Sequence, residues 1–258
     1  MTAAAGVLLQ RRDLVWCLVV RELRVRYRRS TLGLLWSMLL PLLNMLVFTA
    51  VFSAAFGLGR KDYAVYALTG ILFWNFLQQS VVASMNSLRR NAAILKKLPV
   101  PRAVFPTAAV LAAAVNLALA VIPLLAILLA TGHPMRPALL FLPVALVLAT
   151  LLALGMGLLL SPLAIFFTDV VELVTVMFTL LMYLTPVFYP TTIVPEKFRW
   201  VIQLNPVRPI LDVFRDPVYR GTLPSAGDVL LASVVALVAL GVGVAVFRRT
   251  SHRIPFHL

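Results

Sequence analysis

Acidic side chains are scarce in this chain. Nine Asp and Glu stand against 23 Lys and Arg in 258 residues, and charged residues of either sign fill only 12% of positions. That is about half the usual share for a soluble domain, and with 62% hydrophobic residues it marks an integral membrane protein. A single cysteine, Cys17, excludes an internal disulfide, and His133, His252 and His257 are too scattered for zinc, so no metal site is expected. No Gly-Lys dipeptide occurs, so the P-loop pattern is missing and ATP cannot be hydrolysed by that route. Asp169 and Glu172 fall near the start of a predicted span and form no intramembrane proton relay. Active transport would therefore draw its energy from another chain. A net charge of +14 suits nucleic acid, but the basic residues gather where hydrophobic stretches end rather than on a soluble face beside stacking aromatics. The N-terminus lacks the order of basic, short apolar and small-residue segments of a cleavable signal.

What is present is apolar length. Uncharged stretches lie within 30–59, 63–88, 103–135, 137–168, 173–195 and 229–247, and each holds the ~20 residues a spanning helix requires. Six spans put both termini on one side. Counting Lys and Arg near short connections gives fifteen on the side of the termini and three opposite, Arg60, Lys61 and Arg136. The excess predicts a multi-pass protein of the cytoplasmic membrane with both termini in the cytoplasm. The connection at 190–226 is then external. Its prolines allow only short helices and turns. No repeat or soluble domain is apparent, so 1–258 reads as one membrane domain: an interfacial helix at 10–29, a six-span region at 30–248 and a tail at 249–258.

The segment Arg21-Glu-Leu-Arg-Val-Arg-Tyr-Arg-Arg29 runs directly into the first span. At 100° per residue Trp16, Val19, Val20, Leu23 and Tyr27 share one sector, with Arg21, Arg24 and Arg28 on another flank. Arg21, Arg24, Arg26, Arg28 and Arg29 are candidates for holding lipid phosphate; an orienting basic flank is the other reading. The loop 89–102 is the best docking candidate. Ile94, Leu95 and Leu98 give a short helix an apolar edge among Arg89, Arg90, Lys96 and Lys97, ended by Pro99 and Pro101. A protein groove and the lipid surface both suit it. Among aromatics, Trp74 with Phe73 and Phe76, and Tyr183, Phe188 and Tyr189, are candidates for stacking on sugar rings, against packing or an interfacial belt. Asp169 reads as a helix cap, and Asn44 and Asn116 as links between helices. Asp212 and Asp216 are the pair an integral-membrane enzyme acting on polyprenyl-linked sugars would use, although Arg208 and Arg215 beside them suggest ion pairing.

Arg-Glu-Leu-Arg-Val-Arg-Tyr-Arg-Arg-Ser-Thr-Leu-Gly-Leu-Leu-Trp-Ser-Met-Leu-Leu-Pro-Leu (21–42) and Val-Phe-Thr-Ala-Val-Phe (47–52) resemble the start of ABC-2 type permease subunits. These serve polysaccharide exporters for O-antigen, teichoic acid, capsule-like and related lipid-linked glycans. The resemblance resumes at Leu-Lys-Lys-Leu-Pro-Val-Pro-Arg (95–102), Tyr-Leu-Thr-Pro-Val-Phe-Tyr-Pro (183–190), Leu-Asn-Pro-Val-Arg-Pro (204–209) and Phe214-Arg215. It implies an all-α, six-helix membrane subunit that is no enzyme itself, a homodimer, and a separate ATPase that binds ATP and magnesium. It also implies an N-terminal interface helix, a coupling loop between spans two and three, and short external helices between spans five and six. Drug or lipid export is an alternative within the family. Thr168 stands where relatives often have arginine before the aspartate, so no Arg-Asp role carries over to Asp169.

Overall fold

A computed structural model describes residues 12–27, 35–55, 59–97, 100–132 and 136–251. All regular secondary structure among these residues is helical. In order run α1 (Arg12–Tyr27), α2 (Leu35–Phe52), α3 (Arg60–Arg90), α4 (Ala92–Lys97), α5 (Val104–Thr131), α6 (Leu142–Phe166, entered by a 3-10 turn at Pro137–Phe141), α7 (Val170–Leu184), α8 (Arg199–Gln203), α9 (Arg208–Arg215) and α10 (Ala226–Ser251). Among the described residues three helical stretches are both long and apolar enough to cross a membrane, Val104–Ala130, Pro137–Phe166 and Ala226–Ser251, with shorter apolar helices at Leu39–Phe52 and Val170–Leu184. At 31 residues α3 is longer than any of these, about 46 Å at 1.5 Å per residue, but it carries amides among its apolar residues.

Small residues set the closest packing. Gly155 of α6 and Gly243 of α10 face each other so tightly that a Cβ on either would collide with the other helix's backbone. This is the small-residue contact that lets helices associate where lipid removes the hydrophobic drive. The centre of the bundle is α3, whose Val65, Leu68, Phe73, Leu77, Val81 and Met85 are buried against α5, α6 and α7. By contrast Leu40, Leu43 and Leu46 of α2, Leu173 and Met177 of α7, and Leu230 and Leu237 of α10 lie exposed. In a bilayer such surfaces face acyl chains.

Two expectations need correction. The fifth apolar stretch, placed within 173–195, is helical only to Leu184, because Thr185 precedes Pro186 and turns extended (φ −101°, ψ 136°). Its 15 residues span about 22 Å, short of a ~30 Å hydrocarbon core. On α1, Leu14, Val15, Leu18, Val19 and Leu23 turn inward against Phe105, Ala108 and Ala112 of α5, while Trp16, placed on the apolar sector by periodicity, is 64% exposed. The helix rests on protein along this face, and the neighbour selects which residues are buried.

Candidate functional site

One side of α3 is open. Asn75, Gln79, Val82, Asn86 and Arg90 recur every three or four residues and so fall within about 80° of each other. Gln78, Gln79, Val82, Ala83, Asn86 and Arg90 line a groove of about 600 Å³ whose other wall includes Thr175 of α7. Asn75 and Gln79 also border a small cleft with Asn116 of α5 and Pro41 of α2. Thr175 and Thr179 satisfy their hydroxyls on the carbonyls one turn back, at 2.8 and 3.1 Å. An amide-lined groove on a helix of spanning length is costly in hydrocarbon and belongs to a water-filled cavity or a protein contact. Residue type alone, with its emphasis on aromatic and ionisable groups, does not point to this stripe; its signal in the sequence is the spacing of Asn75, Gln79 and Asn86.

At the Arg90 end, α1, α4 and the ends of four longer helices share one apolar cluster containing Leu18, Val19, Leu88, Val104, Phe105, Leu158, Ile165 and Phe247. Ile94 and Leu95 pack half-buried against it, so α4 turns its apolar edge toward its own protein and exposes Lys96 and Lys97. Leu98 and Pro99 lie outside the described residues, as do Arg28 and Arg29. Arg26 is in α1, where the structure describes only its backbone. Arg24 is exposed. Arg21 is drawn into the protein, donating to the Asn91 side chain at 2.5 Å and lying 3.4 Å from Glu22. Glu22 also faces Arg90, at 3.8 Å. Arg89 instead donates to the Ala164 carbonyl at 2.7 Å, within the last turn of α6.

The opposite end is closed by Arg215, which is only 4% exposed. Its guanidinium donates to the carbonyls of Pro186 (2.7 Å) and Val187 (2.6 Å) and lies 3.9 Å from the centre of the Tyr66 ring. Tyr66 donates to the Tyr189 carbonyl and Tyr63 to that of Phe188, each at 2.8 Å. The non-helical stretch after α7 thus has donors for its carbonyls, as backbone at membrane depth requires. A Cβ at Gly70 would collide with the Val187 carbonyl and the Arg215 guanidinium. Asn205 donates to the Thr185 hydroxyl at 2.7 Å and accepts from the Val207 N–H at 2.9 Å. The segments 183–190, 204–209 and 214–215 therefore form one construction.

The pairing expected of Arg208 is present, whereas Arg215 makes no short ion pair among the described residues, although its charge acts on both acids. Asp212 pairs with Arg208 (3.2 Å) and Asp216 with Arg220 (3.3 Å). Burial pushes both carboxyls above their usual range, and the neighbouring arginines oppose it. Among the aromatics, Trp74 is 1% exposed and packs edge-on against Phe178, so it lines no path. Tyr183 is exposed, and its ring meets Phe188, which in turn touches Tyr189 and Phe48. Asp169 stands at the start of α7, but its carboxylate accepts from the Thr168 hydroxyl at 3.1 Å and caps no N–H.

A model of the ABC-2 type transporter family matches residues 13–219, from the second residue of α1 to the turn after α9. O-antigen export system permease proteins named RfbA are similar over 93% of both chains, at 30% identity in Myxococcus xanthus and 29% in Klebsiella pneumoniae. The polysialic acid transport protein KpsM of Escherichia coli is 21% identical over 91% of this chain and 92% of its own length.

Proposed function

Since the chain belongs to the ABC-2 type transporter family, we propose that it is the permease subunit of a polysaccharide exporter, with the amide-lined face of α3 as one wall of the glycan route. The family is one of multi-pass membrane transporters, and its members named above export O-antigen or transport polysialic acid. The groove on α3 carries the reading: glycan hydroxyls meet amide donors and acceptors there, and Gln78, Gln79, Asn86 and Thr175 hold no charge to trap a passing chain. A groove open to lipid cannot conduct a glycan. A second copy of the chain therefore faces it, and the route runs between two protomers.

Energy comes from a separate ATPase at the basic end. Its contact surface includes Lys96 and Lys97, exposed on α4, and α4 passes movement into the cluster that joins α1, α5, α6 and α10. Both termini lie with that ATPase in the cytoplasm, and Arg24 faces the headgroup phosphates. The short helices at 191–220 form the external mouth, with Tyr183, Phe188 and Tyr189 beside it. In cells dependent on this permease, the double variant Gln79→Leu, Asn86→Leu should insert normally yet lose surface glycan by tenfold or more. Undiminished glycan would place the route elsewhere.

A further inference from the structure

Among the described residues, Arg90 is the one charged residue lining the α3 groove. As the last residue of α3 it ends the amide groove, and its side chain also borders a second pocket of about 190 Å³ with Glu22, Leu23, Gln79 and Asn116. The side chain is 51% exposed. One guanidinium nitrogen lies 3.8 Å from Glu22, and the other donates to the Ala83 carbonyl at 3.1 Å. The distance to Glu22 is well beyond the ~2.8 Å of a strong charge-assisted hydrogen bond. Glu22 is shared, since its other oxygen faces Arg21 at 3.4 Å. Two guanidinium groups thus meet one carboxylate, leaving an excess positive charge at the end of a polar groove. Half-exposed pairs of this kind contribute little.

A phosphate anion suits this site better than Glu22 does, because it carries more charge and offers several oxygens to the planar fork of an arginine. We propose that Arg90, with Arg21 beside it, seats the phosphate group of the lipid-borne glycan at the basic end of the α3 groove, and that Glu22 holds the seat until the phosphate displaces it. The inference rests on the polysaccharide-export reading and adds the residues that receive the anionic end. The glycan then starts at Arg90 and meets Asn86 and Gln79 in turn. Phospholipid phosphate has the same chemistry, so the two sources must be separated by experiment.

The test is equilibrium binding of a fluorescent polyprenyl diphosphate to the full chain in phosphatidylcholine nanodiscs. Arg90→Gln should weaken binding about tenfold, with Arg90→Lys recovering part of it. Glu22→Gln should tighten binding severalfold, and Arg12→Gln, which removes an exposed charge from the far end of α1, should leave it unchanged. Equal binding by wild type and Arg90→Gln would overturn the seat while leaving the export reading intact. An equal loss in Arg12→Gln would overturn it in favour of general surface charge. Displacement of the probe by phosphatidylglycerol at equal mole fraction would assign the seat to bilayer lipid and overturn the substrate assignment. A wild-type protein that binds no probe would remove the seat and the lipid-linked form of the substrate together. A matching size-exclusion profile for each variant keeps loss of fold from imitating loss of binding.

Discussion

The two ends of α3 use arginine in opposite ways. Near Gly70 the helix is buried, and Arg215 from α9 is locked against it with two carbonyl acceptors and an aromatic face. Twenty residues on, Arg90 ends an open groove, half-exposed and loosely paired with Glu22. The first arrangement holds broken backbone in place and leaves no room for a ligand. The second is polar, accessible and incompletely neutralised, which is what a moving anionic substrate requires. Burial and pairing thus separate an arginine that holds the fold from one left half-exposed where the proposed route begins.

Breaking the closed end should have the largest effect. Arg215→Leu leaves the Val187 carbonyl without its donor and the Pro186 carbonyl with only the 3.2 Å bond from the Tyr66 hydroxyl, at about 1–3 kcal/mol for the buried acceptor left unmade. Gly70→Ala forces the Val187 carbonyl and the guanidinium apart. Both variants should accumulate poorly and melt well below wild type in a detergent thermal-shift assay; wild-type melting would show that Arg215 is dispensable to the fold. Next in size is the groove, where Gln79→Leu with Asn86→Leu should cost most of the glycan export with little change in melting. If stability fell as far as in Arg215→Leu, the contrast between the two ends would collapse. A smaller effect is expected from Lys96→Glu with Lys97→Glu: permease-dependent stimulation of the partner ATPase should fall severalfold, and unchanged stimulation would move the contact off α4. Least affected should be Trp16→Ala. The ring is outside the packed face of α1, so export and melting should stay near wild type, and a large loss in either would reveal a contact that the exposed ring does not suggest.

The long apolar helices were legible in the sequence because lipid imposes length and composition on them directly. The segments 183–190 and 204–209 could be recognised, but not the reason they occur together, since the Asn205–Thr185 bond joins residues across a turn that periodicity does not describe. The acids beside Arg215 are visible in the sequence, but its short bonds go to the Pro186 and Val187 carbonyls, which have no sequence signature. Trp74 was a candidate for the path on residue type alone, and packing against Phe178 decided otherwise. On α1 periodicity places Val19 and Leu23 correctly, and the position of α5 adds Leu14, Val15 and Leu18 to the buried face and leaves Trp16 outside it. The amide stripe was readable from spacing, but ionisable and aromatic residues draw attention first in a membrane chain.

The Gln79–Asn86 face of α3 should meet water while the outer face of α10 meets lipid. Single cysteines at Gln79, Asn86 and Leu237, each in a Cys17→Ser background that removes the exposed native thiol, can be challenged in intact membranes with a charged, membrane-impermeant thiol reagent. Rapid labelling is expected at positions 79 and 86 and none at 237. Labelling at 237 equal to that at 79 and 86, or no labelling at any of the three, would contradict that expectation.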